Sequence, residues 1–225
     1  MNIVMFGPPG AGKGTQSENL AKDLNLFKVS TGDLLREEVK NKSSLGIKIK
    51  NIIDNGLLVS DDIIDNLIEK ILSNKNYCNK LIFDGYPRNL NQAKHLDLLI
   101  KKHNQRISCV LSLKIEKDII IKRILGRIIC SKCKLTFNEY FYPPTKENHK
   151  CNLKFLTKRS DDNKQTVENR LETYTKKSLQ VLDYYKNQKL LYEIDGMGDI
   201  SNIYKEIRQI IHSLETWLCL IYLYK

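Results

Sequence analysis

The sequence predicts an α/β protein, a parallel sheet flanked by helices, and three observations carry that expectation. The short apolar run Asn2-Ile3-Val4-Met5-Phe6 leads into a glycine-rich turn and then a helical pattern. Further short apolar runs alternate with stretches whose apolar residues recur at helical spacing, as in a sheet buried on both faces. Polar, glycine and charged residues gather directly after the strand runs, at Gly7 to Thr15 and at Asp84 to Arg88. In parallel sheets ligands bind at those C-terminal strand ends.

Each element follows in order. The run 2–6 is too short for a helix and right for a buried strand, and Leu20, Ala21 and Leu24 share one face of the helix after the loop. Phe27-Lys28-Val29 reads as a second strand. Ser30-Thr31-Gly32-Asp33 then supplies turn and cap chemistry for a helix through Leu34, Leu35 and Val39. Ser43-Ser44-Leu45-Gly46 is expected to break that helix, with a short one from Ile47 to Ile53 stopped at Asn55-Gly56. Ser60-Asp61-Asp62 is expected to cap the next, whose Ile63, Ile64, Leu67, Ile68, Ile71 and Leu72 recur at helical spacing. Leu81 to Asp84 is a strand ending in a carboxylate, and Asn91 to Lys101 a helix. Ile107 to Leu113 is the fourth strand and Glu116 to Leu125 a helix. Leu190 to Asp195 is the fifth strand and Ile203 to Leu214 a final amphipathic helix. Between Cys130 and Lys158 cysteines, prolines and aromatics replace the helical rhythm, which indicates a small inserted subdomain.

Composition narrows the function classes. A chain of 225 residues, 41% hydrophobic, can bury a real core in one or two domains. The net charge of +11 suits an anionic partner. Much of the lysine stands beside asparagine, as in Lys40-Asn41-Lys42, and lysines interleaved with aromatics are scarce, so no nucleic-acid partner is expected. The first strand starts at once after Met1, no run reaches the roughly 18 apolar residues of a membrane span, and the six cysteines do not form a secreted framework. A reducing, cytoplasmic compartment and no membrane partner are therefore expected.

The loop Gly7-Pro8-Pro9-Gly10-Ala11-Gly12-Lys13-Gly14-Thr15 meets the spacing G-x-x-x-x-G-K, between a strand and a helix. Glycines let the backbone curl with N–H groups inward, and the helix N-terminus adds positive potential. Lys13 supplies a mobile charge, and Thr15 a hydroxyl near the expected metal, although Gly14 fills the slot directly after the lysine. A lone arginine on a helix is usually a surface ion pair. Arg88 differs, lying beside the strand-end Asp84 and a Gly-x-Pro loop, and arginine forks onto two phosphate oxygens. Asp84 has the character of a carboxylate that organises magnesium opposite a phosphate loop.

These segments stand in order with Ser30-Thr-Gly-Asp-Leu-Leu-Arg36, Leu58-Val-Ser60, Phe83-Asp-Gly-Tyr-Pro-Arg88, Gln92, Arg123-x-x-x-Arg127, Arg159-x-Asp-Asp162 and Asn169-Arg-Leu171. The chain resembles adenylate kinase, the long form with an inserted lid, from residue 1 to about 212. The resemblance implies a P-loop nucleoside monophosphate kinase fold and magnesium-dependent, reversible transfer of the γ-phosphate of ATP to AMP, giving two ADP. It implies a core of residues 1–29, 60–125 and 163–225, an AMP-binding flap at 30–59 and a lid at 126–162. Gly10, Ala11, Gly12, Lys13, Gly14 and Thr15 would cradle the ATP phosphates, with Arg127, Thr136, Phe137 and Gly198 lining the rest of the ATP site. Thr31, Arg36, Leu57, Leu58, Val59, Gly85, Tyr86, Pro87, Arg88 and Gln92 would hold AMP. Arg123, Arg159 and Arg170 would close on the phosphates with Lys13, Arg88 and Asp84, and Arg159 and Arg170 would also reach AMP. Asp161 and Asp162 would orient the arginines, and Gly126 and Ser160 are hinge neighbours. Gln92 and Thr31 match the adenine-reading pattern, against a rival kinase for UMP, CMP or GMP. A monomer is expected.

Cys130-Ser-Lys-Cys133 is a metal knuckle by spacing. Relatives with a zinc-bearing lid carry a second pair. Here only Cys151 follows, position 154 is Lys and position 148 is Asn, and His149 stands nearby. Two readings stand. Either Cys130, Cys133, Cys151 and a fourth donor such as His149 hold structural zinc, or the site is vestigial and hydrogen bonds and packing of Phe137, Tyr140, Phe141 and Tyr142 hold the lid. Cys78, Cys109 and Cys219 read as ordinary thiols. The tail 213–225 has no counterpart in the family, and either extends the last helix or exposes an apolar patch.

Overall fold

The computed structural model describes residues 1–223, with side chains through Thr216. Five parallel strands form the main sheet: β1 (Asn2–Phe6), β2 (Phe27–Ser30), β3 (Leu81–Asp84), β4 (Ile107–Lys114) and, last in sequence, β8 (Leu191–Asp195), in the order β2-β3-β1-β4-β8. The period-2 alternation of β1 divides its side chains between two cores. Ile3 and Met5 join Leu111, Leu20 of α1 (Lys13–Asp23) and Ile207 of α9 (Ile200–Leu223). Val4 and Phe6 join the opposite core, with Ile68 of α4 (Asp61–Leu72), Leu96 of α5 (Leu90–Lys102) and Tyr185 of α8 (Leu179–Asn187).

Local chemistry explains several helix starts. The Ser30 hydroxyl accepts from the Asp33 N–H and caps α2 (Thr31–Lys40). Asn89 accepts from the Gln92 N–H at 2.8 Å and caps α5. Two expectations need correction. The break after α2 falls at 41–43 rather than over 43–46, and Gly46 is helical. It lies inside α3 (Ser44–Asp54), which starts earlier than expected because Ser43 accepts from the Gly46 N–H at 2.9 Å. Ser60 precedes α4 without a side-chain cap, and the first turn instead carries Asp61 and Asp62 at the positive end of the helix.

Helix α6 (Lys117–Leu125) leads into a separate antiparallel sheet of β5 (Arg127–Cys130), β6 (Thr136–Asn138) and β7 (Leu156–Thr157), in the order β6-β5-β7. This is the segment where the sequence loses helical rhythm. The chain then returns through α7 (Lys164–Thr173), a π-helical turn Tyr174–Ser178, and α8. Sequence patterning assigns no helix here: α7 buries only Thr166 and Val167, and α8 shows the short signal of Val181 and Tyr185 four residues apart. Helix α9 runs on past the expected Leu214. Side-chain packing of the apolar tail from Trp217, and Cys219 with it, lies outside the described residues.

Candidate active site

Loop 7–12 follows β1 at the C-terminal edge of the sheet. Gly7, Gly10 and Gly12 have φ of 136°, 80° and 94°, where a side chain is strained. A Cβ on Gly10 would also stand 2.9 Å from the Ile124 side chain. Gly12 precedes α1 without a side-chain cap, so the first N–H groups of that helix face the loop as anion donors. Lys13 curls back, donating from Nζ to the Gly7 and Pro8 carbonyls at 2.8 Å each. Burial lowers its pKa to about 8, Arg88, Arg127 and Arg170 push the same way, and Asp84 opposes them.

Asp84 ends β3 opposite this loop. Lys28 Nζ lies 3.8 Å from Asp84 Oδ2 and donates to the Gly14 carbonyl at 3.2 Å. The Gly85 carbonyl accepts from Thr31 Oγ1 at 2.9 Å and from Arg88 Nε at 2.6 Å, drawing α2 and the Arg88 loop together. Ser178 of the π-helical turn donates to the Arg88 carbonyl at 2.6 Å. The Gln92 side chain accepts from the Arg88 N–H and donates to Asp61, both at 2.7 Å. Tyr86 is buried, its hydroxyl donating to Asp65 at 2.9 Å, so its ring forms wall behind the site.

Six arginines from separated segments, Arg36, Arg88, Arg123, Arg127, Arg159 and Arg170, line one cavity of about 1650 Å³ with the glycine loop. Every residue that the sequence assigns to ATP or AMP lines this same cavity, including Leu57, Leu58, Val59, Pro87, Thr136 and Gly198. The Asp161 and Asp162 side chains are 1% exposed and stand among the guanidiniums. Asp161 accepts from Arg170 and lies 3.7 Å from Arg36. Asp162 accepts from Arg127 Nε at 2.7 Å and lies 3.6 Å from Arg170. Burial lowers the pKa of Arg88, Arg159 and Arg170, and neighbouring guanidiniums add to it. Crowding of like charge at one wall makes an anion the complement of this cavity.

The Arg123 guanidinium lies 5.7 Å over the Phe141 ring. Phe137 is buried between Tyr142 and His149, with ring centroids at 5.8 Å and 5.2 Å, and so links the cavity wall to the cysteine cluster behind it. In that cluster one ligand atom each from Cys130, Cys133, His149 and Cys151 lies within 4.8 Å of the others. His149 is 5% exposed and neither ring nitrogen has a hydrogen-bond partner. Buried imidazole nitrogens ordinarily find partners, and three thiols with one imidazole are a tetrahedral zinc donor set, so these residues fit the metal. Burial pushes the Cys130 thiol up, but the Cys133 N–H, which donates to it at 3.5 Å, and the adjacent polar side chains of the cluster outweigh it and bring it down to about 6.

Sequence reasoning assigns no role in the site to Lys28, and uses Asp61 and Asp33 only as cap and turn chemistry. Asp33 carried a signal, standing three residues before Arg36 on one helix face. Lys28 and Asp61 meet the site only through the fold.

A strand–glycine loop–helix at the edge of a parallel sheet, with convergent arginines and a strand-end carboxylate, defines a P-loop phosphotransferase of the nucleoside monophosphate kinase class. Comparison with known proteins narrows the class: the chain belongs to the adenylate kinase family, whose sequence model matches residues 5–190. It is 46% identical to the adenylate kinase of Pelagibacter ubique over 211 residues, covering 94% of this chain and 99% of that one. It is 39% identical to the adenylate kinase of Nitrosococcus oceani over 215 residues, 95% and 99% of the two chains. With that of Enterococcus faecalis the identity is 37% over 213 residues, 94% and 99%.

Proposed function

We propose that this chain catalyses reversible, magnesium-dependent transfer of the γ-phosphate of ATP to AMP, giving two ADP, and so balances adenine nucleotides. The convergence of Lys13, Arg88, Arg123, Arg159 and Arg170 on one cavity with the glycine loop carries this reading. An AMP phosphate oxygen attacks the γ-phosphorus in line, and ADP leaves from the other side. Charge spreads over the oxygens in flight, and fixed cations in a water-poor site stabilise it. Magnesium bound with ATP would neutralise phosphate charge, and Asp84, beside Gly14 at the end of β3, would help hold it there.

The residues divide by position. Gly10 to Thr15 cradle the ATP phosphates, while Arg127, Thr136, Phe137 and Gly198 line the nucleoside end. Thr31, Arg36, Leu57, Leu58, Val59, Gly85 and Arg88 hold AMP, with Gln92 at its base and Tyr86 and Pro87 shaping the wall. Segment 30–59 acts as the AMP flap and 126–162 as the lid, closing on the core of 1–29, 60–125 and 163–225. Closure over both substrates excludes the water that would hydrolyse ATP. The separate sheet β6-β5-β7 supports this division. Zinc on Cys130, Cys133, His149 and Cys151 would cross-link the lid, which has little apolar core of its own.

The chain acts as a cytoplasmic monomer on this reading. The unpaired thiols of Cys78 and Cys109 suit a reducing compartment. Among the described residues no helix is long and apolar enough to cross a membrane. The deciding experiment supplies ATP, magnesium and each nucleoside monophosphate in turn and follows ADP. AMP should be the preferred acceptor. ADP formed equally well without any monophosphate would mean an ATPase and overturn the reading.

A further inference from the structure

Gln92 is 2% exposed and lines the cavity, and both ends of its amide are held by groups that cannot exchange roles. Its Nε2 donates to Asp61 Oδ1 at 2.7 Å, and a carboxylate only accepts. Its Oε1 accepts from the Arg88 backbone N–H at 2.7 Å, which only donates. Asp61 is held in turn by the Asn89 amide, which donates to Oδ1 at 2.9 Å and Oδ2 at 3.2 Å. Asn89 caps α5 and Asp61 opens α4, so two helix ends set the geometry.

We propose that Asp61 is a positioning residue that pins the Gln92 amide in one orientation and thereby makes the acceptor site select a 6-amino purine over a 6-oxo purine. This rests on the reading above that Gln92 meets the AMP base. A free glutamine amide is ambivalent, because a half-turn exchanges its donor and acceptor. The adenine edge offers N1 as acceptor and the 6-amino group as donor, and a 6-oxo purine offers the reverse. An amide free to turn serves both bases. Pinned by Asp61 and the Arg88 N–H, it keeps one donor valence on Nε2 and one acceptor valence on Oε1, matching adenine alone. Turning it would set Oε1 against the Asp61 carboxylate and Nε2 against the Arg88 N–H, losing two bonds.

The test compares AMP with inosine monophosphate, which replaces the 6-amino group by a 6-oxo group. The ratio of their kcat/KM values is read with magnesium–ATP for the full chain and its variants. That ratio does not depend on the fraction of folded enzyme, so a purely structural role would not move it. Asp61→Ala should lower the AMP preference about threefold to tenfold, the worth of one hydrogen bond, with KM for AMP rising more than KM for ATP. Asp61→Asn, which keeps an acceptor toward Gln92, should retain most of the preference. If the alanine variant gives no soluble protein, Asp61→Ser takes its place, since its hydroxyl is too short to reach Gln92. An unchanged ratio in Asp61→Ala or Asp61→Ser, with a lowered ratio in Gln92→Ala, overturns the role of Asp61. An unchanged ratio in Gln92→Ala shows instead that Gln92 does not read the base, and the proposal falls with that reading.

Discussion

Asp33 of α2 accepts a hydrogen bond from Arg159 at 3.3 Å, joining two segments 126 residues apart in sequence. The same Oδ1 accepts from Arg36 on its own helix. Two arginines that would face phosphate are thus gathered on one carboxylate, between the segments proposed as flap and lid.

Burial pushes the Asp33 carboxyl up, but Arg36 and Arg159 outweigh it and hold its pKa to about 2. The unfolded value is near 3.9, so the folded state binds fewer protons between the two. The contribution of Asp33 to stability is therefore complete above about pH 4 and is lost as pH falls toward about 2. Asp33 is half exposed, so the effect should be about 1 kcal/mol or less. Denaturant titrations of wild type and Asp33→Asn from pH 5 to 2 check this. The two curves should converge in acid, and parallel curves would refute it.

Lys13 should set the alkaline limb of ATP use. With its pKa near 8, the free enzyme loses this charge well below the ordinary lysine range. The kcat/KM for magnesium–ATP should fall above about pH 8, because that parameter reports groups of the free enzyme. Between about 8 and the ordinary value of 10.5 the folded state binds fewer protons, so this group's contribution to stability rises with pH there. Lys13→Arg should lose the limb from the accessible range. A limb unchanged in that variant would assign it elsewhere.

Arg88→Lys should lower kcat roughly 10³-fold while changing KM for ATP little, since lysine keeps the charge but not the planar fork. Arg88 is placed by its Nε bond to the Gly85 carbonyl at 2.6 Å, a contact at fixed reach that a lysine ammonium does not reproduce. Steady-state kinetics with each substrate varied makes the separation. An unchanged turnover would remove Arg88 from the catalytic set.

Protein purified without chelator should carry about one zinc per chain, as a four-donor site requires. Acidification should release the metal by protonating the thiolates, and release should loosen 126–162 more than the sheet core. Elemental analysis with hydrogen exchange before and after chelation tests both. Less than about 0.2 zinc per chain with full activity would show that the lid folds without metal.

Gly46→Ala should destabilise the α2–α3 pair. A Cβ there would stand 2.0 Å from the Glu38 carbonyl oxygen and 2.4 Å from its carbon, both backbone atoms that cannot step aside. The cost should be about 1–3 kcal/mol, seen as a Tm lower by roughly 3–10 °C. A Tm within about 1 °C of wild type would mean that α2 and α3 do not pack this closely.

Sequence alone determined the parallel α/β class, the glycine loop on its strand and helix, and the strand-end Asp84 and Arg88. These rest on local rules: short apolar runs, glycines where φ is positive, and polar residues at strand ends. It also marked Cys130 to Lys158 as a region apart, and named three thiols and His149 without deciding between a working and a vestigial site. Local patterning erred where contacts were tertiary. The stretch Ser43 to Gly46 read as a helix break, and only the approach of α3 to Glu38 shows why glycine sits inside a helix there. The stretch 163–189 went unassigned: α7 buries little of itself, and the signal of α8, Val181 and Tyr185 four residues apart, was short. Asp33 facing Arg159, Lys28 beside Asp84 and Asp61 holding Gln92 were decided only by the tertiary structure. Each joins residues far apart in the chain, and such pairings depend on how helices and strands pack, which neither partner's neighbours in sequence encode.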